Sequence, residues 1–348
     1  MKKALITGIT GQDGSYLSEF LLKKGYEVYG LVRRTSNDPF ARFDYPNIKI
    51  HKIDGNLRDL ETVRRAMEKV VPDEVYNLAA QSHVATSFTC PEETEDINYY
   101  GLGRVVNEAI RVNPKVKIYQ ASTSEMFGSS KPPQNEKTPF KPVSPYAEAK
   151  RRAHEDFVVN MRKKGYFICS GILFNHESPR RGAQFVTRKI TISLAKLKLG
   201  LQDQLELGNL GAKRDWGFAG DYVEAMWKIL QQKKADDYVI ATGESHTVRD
   251  FVNEAALNLG IKIKWSGKGV NEIGKDQNGN TIVKIDPKFY RPAEVDFLCG
   301  DAKKARKELE WKPKVSFAQL VKMMVENDLN HYKVISQNQL FEQNQRAK

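Results

Sequence analysis

Cysteine is scarce in this sequence. The 348 residues hold three, Cys90, Cys169 and Cys299, an odd number without metal-ligand spacing. That excludes a disulfide framework and points to a reducing, cytoplasmic compartment. The six histidines, His51, His83, His154, His176, His246 and His331, are dispersed and predict no metal site. No long apolar segment is present, so no membrane span is expected. Met1-Lys2-Lys3 runs straight into an apolar strand, which predicts no secretory leader. The net charge of +12 comes without aromatic interleaving or a nucleic-acid-binding motif. The basic balance therefore suits small phosphate-bearing ligands rather than nucleic acid. There is no internal repeat.

What is present begins at the N-terminus. Lys3-Ala4-Leu5-Ile6-Thr7 reads as a strand, and Gly8-Ile9-Thr10-Gly11-Gln12-Asp13-Gly14 as a glycine-rich turn. Tyr16, Leu17, Phe20, Leu21 and Leu22 then recur at helical spacing up to Gly25, and Glu27–Val32 reads as a second strand. Strand, glycine turn, helix, strand is the unit that seats a pyrophosphate on a helix N-terminus. The glycines follow a GxxGxxG spacing.

No acid follows the second strand. An Asp or Glu there would hold the ribose 2′-hydroxyl of NAD. Arg33-Arg34-Thr35-Ser36 offers two guanidiniums and two hydroxyls instead, which suit a 2′-phosphate and favour NADP.

Two further runs carry chemistry. Ser144-Pro145-Tyr146-Ala147-Glu148-Ala149-Lys150 opens a helix, with Ser144 as the cap and Pro145 in the first turn. Tyr146 and Lys150 then share one helical face. An ammonium beside a phenol favours the phenolate, a proton acceptor for a hydroxyl undergoing oxidation. Such pairs also occur on ordinary helices, so the upstream glycine turn is what gives this one weight. In Ala121-Ser122-Thr123-Ser124-Glu125, Thr123 and Glu125 project to one side of a strand end. Plain alcohol oxidation has no need of a carboxylate, so Glu125 implies a second proton transfer.

Strand-like runs at 48–53, 74–78, 116–121 and 167–173 alternate with helical runs at 58–70, 95–112 and 144–164. This rhythm predicts an α/β fold, a Rossmann-like doubly wound parallel sheet with a smaller C-terminal substrate-binding lobe. The expected division is residues 1–174, with later help from 211–242, as the nucleotide-binding domain, and 175–330 as the second lobe. Helices are expected at 185–199 and 219–232, a long loop over 261–286, and a loose tail over 331–348.

The glycine spacing resembles that of the extended short-chain dehydrogenase/reductases. The segments TGITGQDGSYLSEFLLKKGYEVYGLVRR, LAAQSHV, QASTSEMFG, SPYAEAK, LFNHESPRRG, LGNLGAKRDWGFAGDYVEAMW and RPAEVD narrow the resemblance to the GDP-mannose 4,6-dehydratases. It spans residue 3 to about 330. This resemblance implies conversion of GDP-D-mannose to GDP-4-keto-6-deoxy-D-mannose and water, by internal hydride transfer through bound NADP. A GDP-heptose dehydratase, or a nucleotide-sugar 4-epimerase or reductase, is the alternative on the same fold. The implied catalytic residues are Thr123, Glu125, Tyr146 and Lys150. Gly8, Ile9, Thr10, Gly11, Gln12 and Asp13 would cradle the NADP pyrophosphate. Arg33, Arg34, Thr35 and Ser36 would take the 2′-phosphate, and Asn56 and Leu57 the adenine. Leu78, Ala79, Ala80, Gln81 and Ser82 would line the nicotinamide side, with Tyr146, Lys150, His176 and Arg181 completing the cofactor set. GDP-sugar would meet Ser82, Ser124, Asn175, Val186, Lys189, Leu207, Gly208, Asn209, Arg214, Arg249, Arg291 and Glu294. The resemblance also implies a homo-oligomer, tetramer or dimer, in which the 33–43 loop reaches a neighbouring subunit. Asn56 departs from an aspartate frequent in such proteins, and Glu93 stands where a tyrosine near the cofactor is frequent; Glu93 is assigned no role.

Overall fold

The computed structural model describes residues 1–36, 40–43, 49–290 and 295–346, and side chains as far as residue 337. By chain contacts it divides into two units. The first comprises Met1–His176, Asp215–Glu244 and Phe297–Lys314; the second comprises Glu177–Arg214, Ser245–Asp296 and Val315–Lys348.

The first unit is built on a seven-stranded sheet. Strands β1 (Lys3–Thr7), β2 (Glu27–Val32), β3 (Ile50–Asp54), β4 (Glu74–Asn77), β5 (Lys117–Thr123) and β6 (Ile168–Leu173) are joined by Asp237–Ile240. The order is β3-β2-β1-β4-β5-β6 and then Asp237–Ile240, and every pairing is parallel. Such a sheet is covered on both faces, so its strands are apolar on both sides. β6 is buried at all six positions.

Helices α1 (Gln12–Lys23) and Ala219–Leu230 share one face, where Tyr16 packs edge-on against Phe218 and Phe20 against Trp227. The other face carries α2 (Leu60–Val70) and the helical run that begins with α3 (Val84–Thr89) and α4 (Pro91–Glu95) and ends in α5 (Gly101–Val112). There Val63, Met67, Leu102, Val105 and Val106 form one core with Leu5, Val75, Ile118 and Ile168 of the strands.

The two expected long helices are interrupted. Between α4 and α5 lies one wide π-turn, Asp96–Tyr100; after α6 (Pro145–Ala153) lies another, His154–Val159, before Asn160–Lys163 resumes. A π-turn widens one turn by a residue without ending the helix, so each stretch reads in sequence as one continuous helix.

In the second unit, Val186–Lys198 packs on both Val248–Leu257 and the last helix, Phe317–Arg346. That last helix covers most of the stretch expected to be a loose tail. The expected loop over 261–286 is a correction. It folds into strands Lys264–Ser266, Ile273–Lys275 and Thr281–Ile285, which form a four-stranded sheet with Leu205–Leu207. Its Gly and Asn residues are turn residues: Asp276 accepts from the amides of Asn278 and Asn280, and Gly279 has φ +88°. No described helix is long and apolar enough to cross a membrane.

Candidate active site

In doubly wound sheets, ligands bind beyond the carboxyl ends of the strands. Five sequence-predicted segments lie at such ends: Gly8–Asp13 after β1, Arg33–Ser36 after β2, Asn56–Leu57 after β3, Leu78–Ser82 after β4, and Thr123 as the last residue of β5 with Ser124 and Glu125 in the 3-10 turn that follows it.

The glycine turn is a close backbone approach. Gly8 has φ +70°, and a Cβ there would stand 2.7 Å from the amide nitrogen of Ala79. At Gly14 a Cβ would meet Gly8 O and Ile9 Cα at 2.4 Å. Helix α1 starts at Gln12 with Gly11 as a cap that supplies no side-chain acceptor. Its leading amides therefore point toward anion-binding space, as a pyrophosphate needs.

Asp13 and Gln12 have a partner in this turn. His176 Nε2 lies 2.8 Å from Asp13 Oδ2, and His176 Nδ1 lies 2.7 Å from Phe174 O. Both ring nitrogens face oxygen atoms, so the ring is held from two sides. The ring stacks on Tyr222, and Gln12 Nε2 donates to His176 O at 3.0 Å. Arg33, Arg34, Thr35 and Ser36 are exposed. Arg42 donates from its guanidinium to Thr10 O at 3.0 Å, a contact without a local sequence signal.

Asn56 Oδ1 accepts from Arg58 N, and Leu57 O accepts from Arg104 at 3.0 Å. Arg104 and Arg58 both bind Asp96, whose carboxyl burial would raise and the two guanidiniums hold below its usual range. Glu93 lies 3.5 Å from Arg58. The strip after β4 is pinned from the π-turn: Asn98 Oδ1 accepts from Gln81 N at 3.0 Å, and Asn98 Nδ2 donates to Gln81 O at 2.9 Å. Asn98 was invisible in sequence terms, since only the wide turn aims its amide at Gln81. Ser82 is exposed.

Tyr146, Lys150, Thr123, Ser124 and Glu125 are all buried. Ser144 caps α6 by accepting from Ala147 N at 3.1 Å. One helical turn separates Tyr146 from Lys150, and Lys150 Nζ donates to Ala121 O at 3.0 Å. Burial lowers the Lys150 ammonium to about 8. Thr123 Oγ1 accepts from Glu125 N at 3.2 Å, so its own hydroxyl hydrogen remains to be donated. Asn175 is half-buried.

The remaining predicted residues belong to the second unit. Val186 opens a helix, and one turn on, burial lowers the pKa of Lys189 while its ammonium rests 3.2 Å from the centroid of Phe289. Leu207 ends a strand and Gly208 follows, where a Cβ would meet Phe289 O at 2.5 Å. Asn209 Oδ1 accepts from Gly211 N. Arg214 is buried, its strand position facing His246. Arg249 binds Glu272 at 2.5 Å. Arg181 Nε lies 3.0 Å from Glu177 Oε2, with the guanidinium against the Phe185 ring. Arg291 and Glu294 lie outside the described residues.

Residues 5–324 match the family described as GDP-mannose 4,6 dehydratase. The chain is 53% identical to GDP-mannose 4,6 dehydratase 1 of Arabidopsis thaliana, covering 94% of this chain and 90% of the relative. It is 51% identical to the Homo sapiens GDP-mannose 4,6 dehydratase, covering 94% and 91%. In fold it is similar to a UDP-glucose 4-epimerase of Thermotoga maritima solved with UDP-glucose, with TM-score 0.78, 22% identity, and coverage of 95% of this chain and 99% of that one. This chain belongs to the GDP-mannose 4,6 dehydratase family.

Proposed function

We propose that the chain converts GDP-D-mannose to GDP-4-keto-6-deoxy-D-mannose and water, with NADP bound beyond the carboxyl ends of β1, β2 and β3. The observation that carries the reading is the buried set of two proton-transfer groups, Tyr146 with Lys150 on α6 and Glu125 with Thr123 at the end of β5. A single oxidation or epimerisation uses only the first pair.

The residues fit a dinucleotide. Gly8 and Gly14 have no Cβ to hold the turn off the Ala79 strip or off the start of α1, and α1 opens at Gly11 without a side-chain cap, which leaves its leading amides for an anion. Arg33 and Arg34, without an acid after Val32, support NADP over NAD. When bound, the nicotinamide would accept a hydride from C4 of the sugar and return it to C6.

The protein's own groups do the rest. Tyr146, as phenolate, takes the proton of the 4-hydroxyl, and the Lys150 charge stabilises that phenolate. The new 4-ketone acidifies the C5 proton, because the electron pair left behind delocalises onto the ketone oxygen. Glu125 removes this proton and gives it to the departing 6-hydroxyl, while Thr123 steadies the sugar by a hydrogen bond. Glu125 takes up a proton from solvent and delivers it to C5 as C6 becomes a methyl group, and Tyr146 releases the 4-hydroxyl proton to solvent, returning to phenolate. The sum is loss of one water without net oxidation. His176 holds Asp13 in the turn; Leu78 to Ser82 line the nicotinamide side. Ser82, Ser124 and Asn175 would meet the sugar-nucleotide, with Val186, Lys189, Leu207, Gly208, Asn209, Arg214 and Arg249 of the second unit and with Arg291 and Glu294. Three free cysteines support a reducing, cytoplasmic setting. We assign the working form to a homo-oligomer, tetramer or dimer.

The test follows the hydrogen. GDP-mannose deuterated at C4 should give product with deuterium in the new methyl group, and solvent deuterium should appear at C5. An epimerase returns the label to C4 and a reductase consumes added NADPH. Product methyl lacking the C4 label would overturn the proposal.

A further inference from the structure

Three polar side chains stand side by side across the centre of the parallel sheet. Thr7, Asn77 and Gln120 are register partners on β1, β4 and β5, with exposures of 0%, 3% and 1%. The Thr7 hydroxyl donates to Asn77 Oδ1 at 2.6 Å, and Asn77 Nδ2 donates to Gln120 Oε1 at 2.7 Å. Behind Thr7, the amide of Ala79 donates to its Oγ1 at 3.2 Å; beyond Gln120, its Nε2 donates to Ala121 O at 3.0 Å. Ala121 O is also the acceptor that holds Lys150 Nζ.

Direction is fixed along this row. Turning Gln120 over would set donor against donor at Asn77 and acceptor against acceptor at Ala121, and turning Asn77 over would set acceptor against acceptor at Gln120. Each bond therefore orders the next, from the Ala79 amide in the strip after β4 to the Ala121 carbonyl on β5. Apolar residues would fill these positions at no desolvation cost, whereas a buried amide is tolerable only when fully paired. What the polar row adds is orientation of the carbonyl at its end.

We infer that Gln120, oriented by Asn77 and Thr7, is a positioning residue for Lys150: it fixes the Ala121 carbonyl on which the ammonium is aimed and ties that carbonyl to the Thr7–Gly8 turn and the Ala79 strip. The inference rests on the reading of Lys150 as the partner of Tyr146. With one N–H spent on Ala121, the ammonium has two left for the Tyr146 oxygen and the nicotinamide ribose. Gln120 touches neither substrate nor cofactor, and acts through the lysine alone.

The experiment uses full-length protein loaded with NADP and follows bound NADPH absorbance after rapid mixing with GDP-mannose. Gln120→Met keeps the length and removes the polar bonds. Gln120→Glu keeps the acceptor for Asn77 and, as a carboxylate, sets a second acceptor against the Ala121 carbonyl, and it carries the test if the methionine variant fails to fold. Either change should slow the first oxidation about tenfold to a hundredfold, the scale of a small misplacement of a catalytic group. The Kd for GDP-mannose should stay within about threefold, since uniform binding is untouched. Added to Lys150→Met, either change should cost nothing further, because it acts through a group already gone. A merely structural amide would slow the double variant again. Wild-type oxidation rates in a folded Gln120 variant, or additive losses in the double variant, would overturn the inference. Full oxidation in Lys150→Met alone would instead overturn the role of the lysine.

Discussion

At the residue scale, the two proton-transfer pairs predict separable failures. Tyr146→Phe removes the acceptor for the 4-hydroxyl proton, so no bound NADPH should form on mixing with GDP-mannose. Glu125→Gln leaves that step intact and removes the base at C5. Absorbance of bound NADPH should then appear and persist, or decay back to starting sugar, while the product methyl never forms. Full dehydration by the glutamine variant would remove Glu125 from the mechanism. Lys150 adds a pH signature. Burial lowers its ammonium to about 8, below the free-lysine value of 10.5. Between those values the unfolded chain binds the proton and the folded chain does not, so this group's contribution to stability rises with pH across the window. Below about 8 the folded protein carries the full cost of a buried charge, roughly 3 kcal/mol by the size of the shift. Urea unfolding of cofactor-free protein between pH 7 and 10 should show wild type gaining on Lys150→Met by about that amount. Parallel stability curves would mean the lysine pays no such penalty.

At the element scale, α6 is where sequence and structure agree most closely. Ser144, Pro145, Tyr146 and Lys150 take the positions their spacing predicts, because cap, first-turn proline and helical repeat are local rules. Ser144→Ala removes the acceptor for Ala147 N and should cost about 1 kcal/mol in chemical denaturation. The first turn of α6 carries Tyr146, so kcat should fall while NADP affinity holds. The glycine turn was equally plain, since only a residue at ease with positive φ and without a Cβ serves at Gly8. What sequence patterns could not convey were bonds between distant residues. Asn98 reaches Gln81 only because a wide turn interrupts the helix, and Asn77 meets Gln120 across 43 positions of chain. Apolar periodicity locates faces, and it is silent about which amide on one element answers which on another. The strands within 261–286 were missed for a related reason. Each short strand is bounded by turn residues, so the composition reads as loop although Trp265, Ile273, Ile282 and Val283 supply a sheet.

At the scale of the whole molecule, the cations proposed for the cofactor 2′-phosphate and two of those proposed for GDP fall in different units. The glycine turn, Arg33 and Arg34 belong to the first unit, and Lys189 and Arg214 to the second. Arg33→Asp removes a phosphate partner and adds a repelling charge in the first. A charge-assisted bond contributes about 1.5–3 kcal/mol, so NADP affinity should fall roughly tenfold to a hundredfold. NAD, without the 2′-phosphate, should bind nearly as before. Lys189→Met keeps the packing of the stem and removes the ammonium, and Arg214→Met removes a buried guanidinium. Both should weaken GDP by a similar factor. The separation makes the prediction a crossed one. Titration calorimetry with NADP and GDP should find that Arg33→Asp leaves GDP affinity within about threefold, and that the two methionine variants leave NADP affinity equally unmoved. Independent sites give additive losses, so the double variant Arg33→Asp, Lys189→Met should lose both affinities by the factors of the single changes. If Lys189→Met weakened NADP as strongly as GDP, the lysine would be serving the fold or the cofactor rather than the sugar-nucleotide. If Arg33→Asp weakened NAD as much as NADP, the loop after β2 would not be reading the 2′-phosphate.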